Sequence, residues 1–141
     1  MEICQLIIKN VEDKNPDDKN GWTPLHWAAQ CGHVDICSLI LKNVVEKNPE
    51  DINGVTPLHS AAINGHLKIC QLIIEEVMDK NPMDNNGVTP LHDATLENHF
   101  EICKFITANV EDKNPIANDG RTPKDLALER GHFGLLKMFQ D

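Results

Sequence analysis

The chain has no tyrosine, only four phenylalanines and only two tryptophans in 141 residues. Its core must therefore be built from Ile, Leu, Val, Ala and Cys. No stretch approaches the roughly 20 consecutive apolar residues that a membrane-spanning helix needs. Cations are outnumbered: 13 Lys and Arg stand against 22 Asp and Glu, a formal net charge of -9. Such a balance gives no electrostatic footprint for a nucleic-acid backbone or an anionic membrane. It suits basic partners, or partners held through apolar contacts. The start, Met1-Glu2-Ile3-Cys4, lacks the basic opening and apolar block of a secretory signal. Five cysteines, an odd number, make no disulfide framework. An intracellular, cytoplasmic setting is expected. A Gly-rich phosphate loop, a paired-carboxylate motif and a zinc-type Cys/His spacing are also missing.

What the chain does have is a repeat. Thr-Pro occurs at 23–24, 56–57, 89–90 and 122–123, always 33 residues apart. Gly21, Gly54, Gly87 and Gly120 keep the same phase, as do His33, His66, His99 and His132. Asn-Pro at 15–16, 48–49, 81–82 and 114–115 lies between the units, and Ile-Cys at 3–4, 36–37, 69–70 and 102–103 repeats too. A fixed period of this length marks a solenoid.

Each unit reads as turn, helix, turn, helix. In the unit beginning near residue 50, Asn53-Gly54 is a turn signal. Thr56 suits an N-cap and Pro57 the first helical position. The first helix carries Leu58, Ala61 and Ala62, whose small alanines allow close helix approach. Gly65 ends it in a left-handed conformation, and Asn98, the next most tolerant residue, holds that place one unit later. The second helix, around Leu67 to Val77, sets Leu67, Ile69, Cys70, Ile73, Ile74 and Val77 at helical spacing, a wide apolar face suited to burial between neighbours. One unit cannot bury that face alone, whereas stacked units can. The fold class is all-α: a solenoid of stacked helix-turn-helix units with short projecting loops.

Gly-Trp-Thr-Pro-Leu-His-Trp-Ala-Ala-Gln-Cys-Gly-His (21–33) and Gly-Val-Thr-Pro-Leu-His-Ser-Ala-Ala-Ile-Asn-Gly-His (54–66) resemble the ankyrin-repeat signature. A looser copy runs through Thr89-Pro90-Leu91-His92-Asp93-Ala94-Thr95. The resemblance covers the whole chain. It implies antiparallel helix pairs with loops projecting at right angles to form a concave face, and a local Thr–His hydrogen-bond network at each helix start. The boundaries expected are one domain, 1–141: a partial repeat at 1–16 holding only the second helix, repeats at 17–49, 50–82 and 83–115, and a C-terminal capping repeat at 116–141. In that last unit Lys124-Asp125 replaces Leu-His. The partial first helix, as part of an array continuing upstream, should be the least protected segment. Two features depart from the family pattern. Val11, Val44, Val77 and Val110 stand where it usually has Gly, so Asn10, Asn43 or Asn109 is expected to take the left-handed role, for which Glu76 is poorly suited. Proline follows the repeated Asn, so long strands are not expected between units.

The constant columns absorb the residues that could carry chemistry. His26, His59 and His92 belong to the Thr-Pro-Leu-His turn. His33, His66, His99 and His132 open the second helices at one phase. A structural role explains such regularity better than a metal site, and Cys31-Gly32-His33 is too small a set to hold one. No nucleophile, base and orienting group come together. The expectation is a non-enzyme with no cofactor and no metal.

The variable columns remain. In ankyrin proteins such positions at loop tips and on the exposed edge of the first helix contact partners. Here they are Lys19, Asn20, Trp22, Trp27, Gln30 and Cys31 in the first full unit. Ile52, Asn53, Val55, Ser60, Ile63 and Asn64 follow in the second. Asn86, Val88, Asp93, Leu96 and Glu97 belong to the third, and Asp119 and Arg121 to the last. Both tryptophans fall among them, and Trp is enriched at binding hot spots. The function expected is a scaffold that binds a protein or peptide on its concave face, with no nucleic acid and no membrane. The expected state is a monomer, with weak self-association through the uncapped N-terminal end. Two alternatives follow from the resemblance: a spacer within a larger multidomain protein, or a hydroxylase substrate at Asn15, Asn48, Asn81 and Asn114.

Overall fold

The computed structural model describes residues 17–140, so the partial repeat expected at 1–16 lies outside the described residues. Four helix pairs follow one another. They are α1 (Pro24–Cys31) and α2 (Val34–Asn43), α3 (Pro57–Ile63) and α4 (Leu67–Glu76), α5 (Pro90–Leu96) and α6 (Phe100–Asn109), and finally α7 (Pro123–Arg130) with a 3-10 helix over Phe133–Phe139. There is no strand among the described residues. First helices pack in one row, α1 on α3 on α5 on α7, and each also packs on the second helix of its own pair.

Every first helix starts the same way. Thr56 is the N-cap of α3, and its Oγ1 accepts from the His59 amide. The His59 ring returns a bond, its Nδ1 accepting from the Thr56 amide at 3.2 Å. Pro57 has no N–H to satisfy. The Leu58 amide donates to Asn48 Oδ1 at 3.1 Å, and the Ser60 amide to the Thr56 carbonyl. The donors that a helix start leaves open are thus all engaged. Asn81 serves Leu91, and Asn114 serves Lys124, in the same way. That gives the Asn of the Asn-Pro pair a capping role. Asp125 replaces the histidine in the last unit, and its carboxylate completes the same capping box.

The first helices end as the sequence predicts. Gly32, Gly65 and Gly131 are left-handed, and Asn98, at φ 59°, is the one non-glycine with positive φ among the described residues. The second helices do not end as expected. Val44, Val77 and Val110 are extended, with ψ of 153–154°, and neither Asn43 nor Asn109 turns left-handed. Both asparagines stay helical and donate their side-chain amides back to Leu39 and Phe105 carbonyls. At the ends of α2 and α4 the open carbonyls are met instead by lysine. Lys80 Nζ donates to Ile74 O and Val77 O, both at 2.7 Å, and Lys47 does the same for Leu41 and Val44. An ammonium at a helix C-terminus also meets the negative end of the helix dipole. This arrangement removes the need for a left-handed residue, and so for glycine.

The core is the aliphatic one that the composition requires. Leu25, Leu58 and Leu91 of the first helices and Ile40, Ile73 and Ile106 of the second are at most 2 % exposed. Cys37, Cys70 and Cys103 are fully buried among them. Burial pushes these thiols up, to about 12, 12 and 11, which leaves them protonated and unreactive packing residues.

Neighbouring units are joined through histidine and through the loops. The ring Nε2 of His26, His59 and His92 lies 2.8, 2.8 and 3.1 Å from the carbonyl oxygens of Val55, Val88 and Arg121 in the following unit. The second histidine column reaches the other way. His66, His99 and His132 place Nε2 at 3.0–3.2 Å from Gln30 O, Ile63 O and Leu96 O in the preceding unit. Loop tips add one backbone bond per neighbour: Ile52 N to Asn20 O, Asn85 N to Asn53 O and Asn118 N to Asn86 O, at 2.9–3.0 Å.

Candidate functional site

The two tryptophans meet at the first described unit. Their ring centroids are 4.7 Å apart, with planes inclined at 63°. Trp22 also stacks on the His26 ring at 5.3 Å. Its Nε1 donates to Asp51 Oδ2 of the next loop at 2.9 Å. Three contacts therefore fix one indole, while Trp27 remains 54 % exposed. The pair walls a cleft of about 380 Å³ between loop tips and first helix. Asn20, Gln30, Ile52 and Asn53, all expected contact positions, line it as well.

Asp18 and Asp51 complete the lining. They were not singled out from the sequence, because aspartate recurs at this phase as Asp18, Asp51 and Asp84 and so looks like a constant structural column. It is structural: Oδ1 of each accepts two backbone amides of its own turn, Asn20 and Trp22, Asn53 and Val55, Asn86 and Val88. The same residues nonetheless bring negative charge into the cleft.

The other expected positions lie elsewhere. Lys19 and Asn86 are exposed at loop tips, and Cys31 is exposed at the end of α1. Val55 and Val88 are half-buried, and their carbonyls hold the histidine latches. Ser60 is buried, only 4 % exposed. Ile63, Asn64 and Glu97 are exposed at the C-terminal ends of their helices, and Leu96 is half-buried. Asp119 and Arg121 form an exposed ion pair at 2.9 Å, and Arg121 also meets Glu129 at 3.1 Å.

Asp93 is the electrostatic exception. It sits half-buried in the first-helix row, at the phase of Trp27 and Ser60. No hydrogen bond reaches its carboxylate from any described residue. Burial, reinforced by the Asp84 carboxylate, pushes its pKa up to about 8 from 3.8. A raised carboxyl contributes stability that is complete below about 3.8 and lost as pH rises through about 8. Asp93→Asn keeps the shape without the charge. It should raise the unfolding free energy by roughly 1–3 kcal/mol at pH 8 and by almost nothing at pH 4. Urea unfolding of both proteins across that range checks this; an equal gain at both pH values would overturn it.

Two further clefts open under the loops, away from the tryptophans. Val45 and Met78, each 98 % exposed, line the first with Val77 and Pro82. Met78 and Met83 line the second, of about 680 Å³, with Val110 and Pro115. The signal in the sequence is an apolar residue just after the second helix, at Val45 and Met78. It was not read as a contact position.

Among the described residues, no group of three or more His, Cys, Asp or Glu could hold a metal ion. None of their helices is long and apolar enough to cross a membrane. Comparison with curated proteins brings no match. Comparison with protein families does: ankyrin repeats, in a three-copy description, match residues 1–51 and 39–117. Ankyrin repeats generally mediate protein–protein interaction. The match spans most of the chain, and the capping boxes, left-handed helix ends and stacked pairs follow the same period through its described part, so the chain belongs to the ankyrin-repeat family.

Proposed function

We propose that the chain is an interaction scaffold, not an enzyme, which holds a protein or peptide on the face between its loop tips and first helices. The observation that carries this reading is the Trp22–Trp27 cleft. Two indoles in contact, one of them held by a hydrogen bond and a ring stack, offer a large apolar surface that is already ordered. A surface ordered before binding avoids much of the entropy cost of association. Ile52, 63 % exposed, extends it onto the next loop. The five consecutive units, 1–16 to 116–141, act on this reading as one domain.

Peptides selected from an unbiased random library against the whole chain provide the test. Trp22→Ala with Trp27→Ala should weaken the selected binders by roughly 30-fold or more, the loss typical of a hot spot. Circular dichroism should show the fold intact. Binders that keep full affinity for this variant, and lose it when Met78 in the clefts under the loops is changed, would move the binding site to those clefts.

A further inference from the structure

Resting on that reading, we infer that the Trp22–Trp27 cleft takes a lysine or arginine side chain from its protein partner. Three observations converge. First, the walls are two indoles, the aromatic surface with the strongest attraction for a cation over its face. Second, the charged groups in the lining are both carboxylates, Asp18 and Asp51, and no Lys, Arg or His lines the cleft. Third, that negative charge is not balanced within the described fold. The described ion pairs both belong to Arg121, at the far end of the array. In the next unit Asp84 continues the same sign, and its influence is felt at His59, His92 and Asp93. The carboxylates are also held in place. The turn amides engage Oδ1 of Asp18 and of Asp51, and the Trp22 indole engages Asp51 Oδ2.

These features divide the work. The indoles cover the aliphatic stem and one face of the cation, and the aspartates meet its N–H groups. A glutamate or a neutral side chain gains only the apolar part. Ion pairing at a partly exposed site should weaken as salt rises.

The test uses the selected peptides with the whole chain. Binders that depend on the two tryptophans should each contain a Lys or Arg. Changing that residue to Gln should weaken binding at least about tenfold, which is about 1.4 kcal/mol. Asp18→Asn keeps an acceptor for the turn amides and removes the charge. It should weaken the parent peptide but leave the Gln peptide nearly unaffected, so that the two losses do not add. Tryptophan-dependent binders that carry no basic residue, or that ignore both changes, overturn this inference while the scaffold reading stands. Binders indifferent to the tryptophans overturn both.

Discussion

Replacing His59 with alanine should lower the unfolding free energy of the chain by about 3 kcal/mol, the largest loss expected from any polar residue here. The ring is 2 % exposed and works in two directions. Its Nδ1 accepts from the Thr56 amide, and its Nε2 donates to the Val88 carbonyl of the next unit. A ring flanked in this way is neutral, with its proton on Nε2. Alanine leaves the buried Thr56 amide without its partner, beside a cavity, and takes from the Val88 carbonyl one of its two donors, the Asp84 amide remaining. His66→Ala removes one bond at an exposed position and should cost about 1 kcal/mol or less. Urea unfolding of the two variants compares them directly, and equal losses would overturn the latch. The effect has a pH signature. Burial pulls the pKa values of His26, His59 and His92 below their ordinary 6.5. A lowered histidine gives stability that is complete above about 6.5 and lost as pH falls through its folded value. The cost of His59→Ala should therefore shrink in acid.

Gly54→Ala should cost about 3 kcal/mol, and Gly120→Ala only about 1 kcal/mol, although the two glycines occupy the same turn. Both are left-handed, at φ 78° and 86°. A Cβ on Gly54 would meet Asn85 Oδ1 at 2.7 Å and Asn85 N at 2.9 Å, with Asp84 Cα at 3.1 Å. Two of those atoms are backbone of the next loop, which cannot yield without breaking the loop-to-loop bond between Asn53 and Asn85. A Cβ on Gly120 meets nothing within 4 Å. The difference between the two variants isolates loop stacking from backbone strain. If both lose the same amount by urea unfolding, the loops are not packed as described.

The period, the helix pairs and the left-handed Asn98 were legible in the sequence because each follows from local chemistry: a cap, a proline or a tolerant residue at a fixed phase. The ends of the second helices were not. The expectation that the preceding asparagine turns left-handed overlooked that, at Val44 and Val77, a lysine three residues further on reaches back to the open carbonyls. The cleft was half legible. Its variable members Trp22, Trp27 and Ile52 stood out by differing between units. Asp18 and Asp51 did not, since a residue that repeats for a structural reason hides any second role. Asp93 could be named from the sequence, but its isolation depends on what surrounds it in space.

Each histidine latch ends on a main-chain oxygen of the neighbouring unit, never on a side chain. Every residue offers the same carbonyl. The junction is thus indifferent to what the adjoining unit displays, so Val55 can become Val88 or Arg121 with the latch intact. The latches themselves set no condition on the neighbour's side chain, which leaves the surface beside them free to diversify one unit at a time.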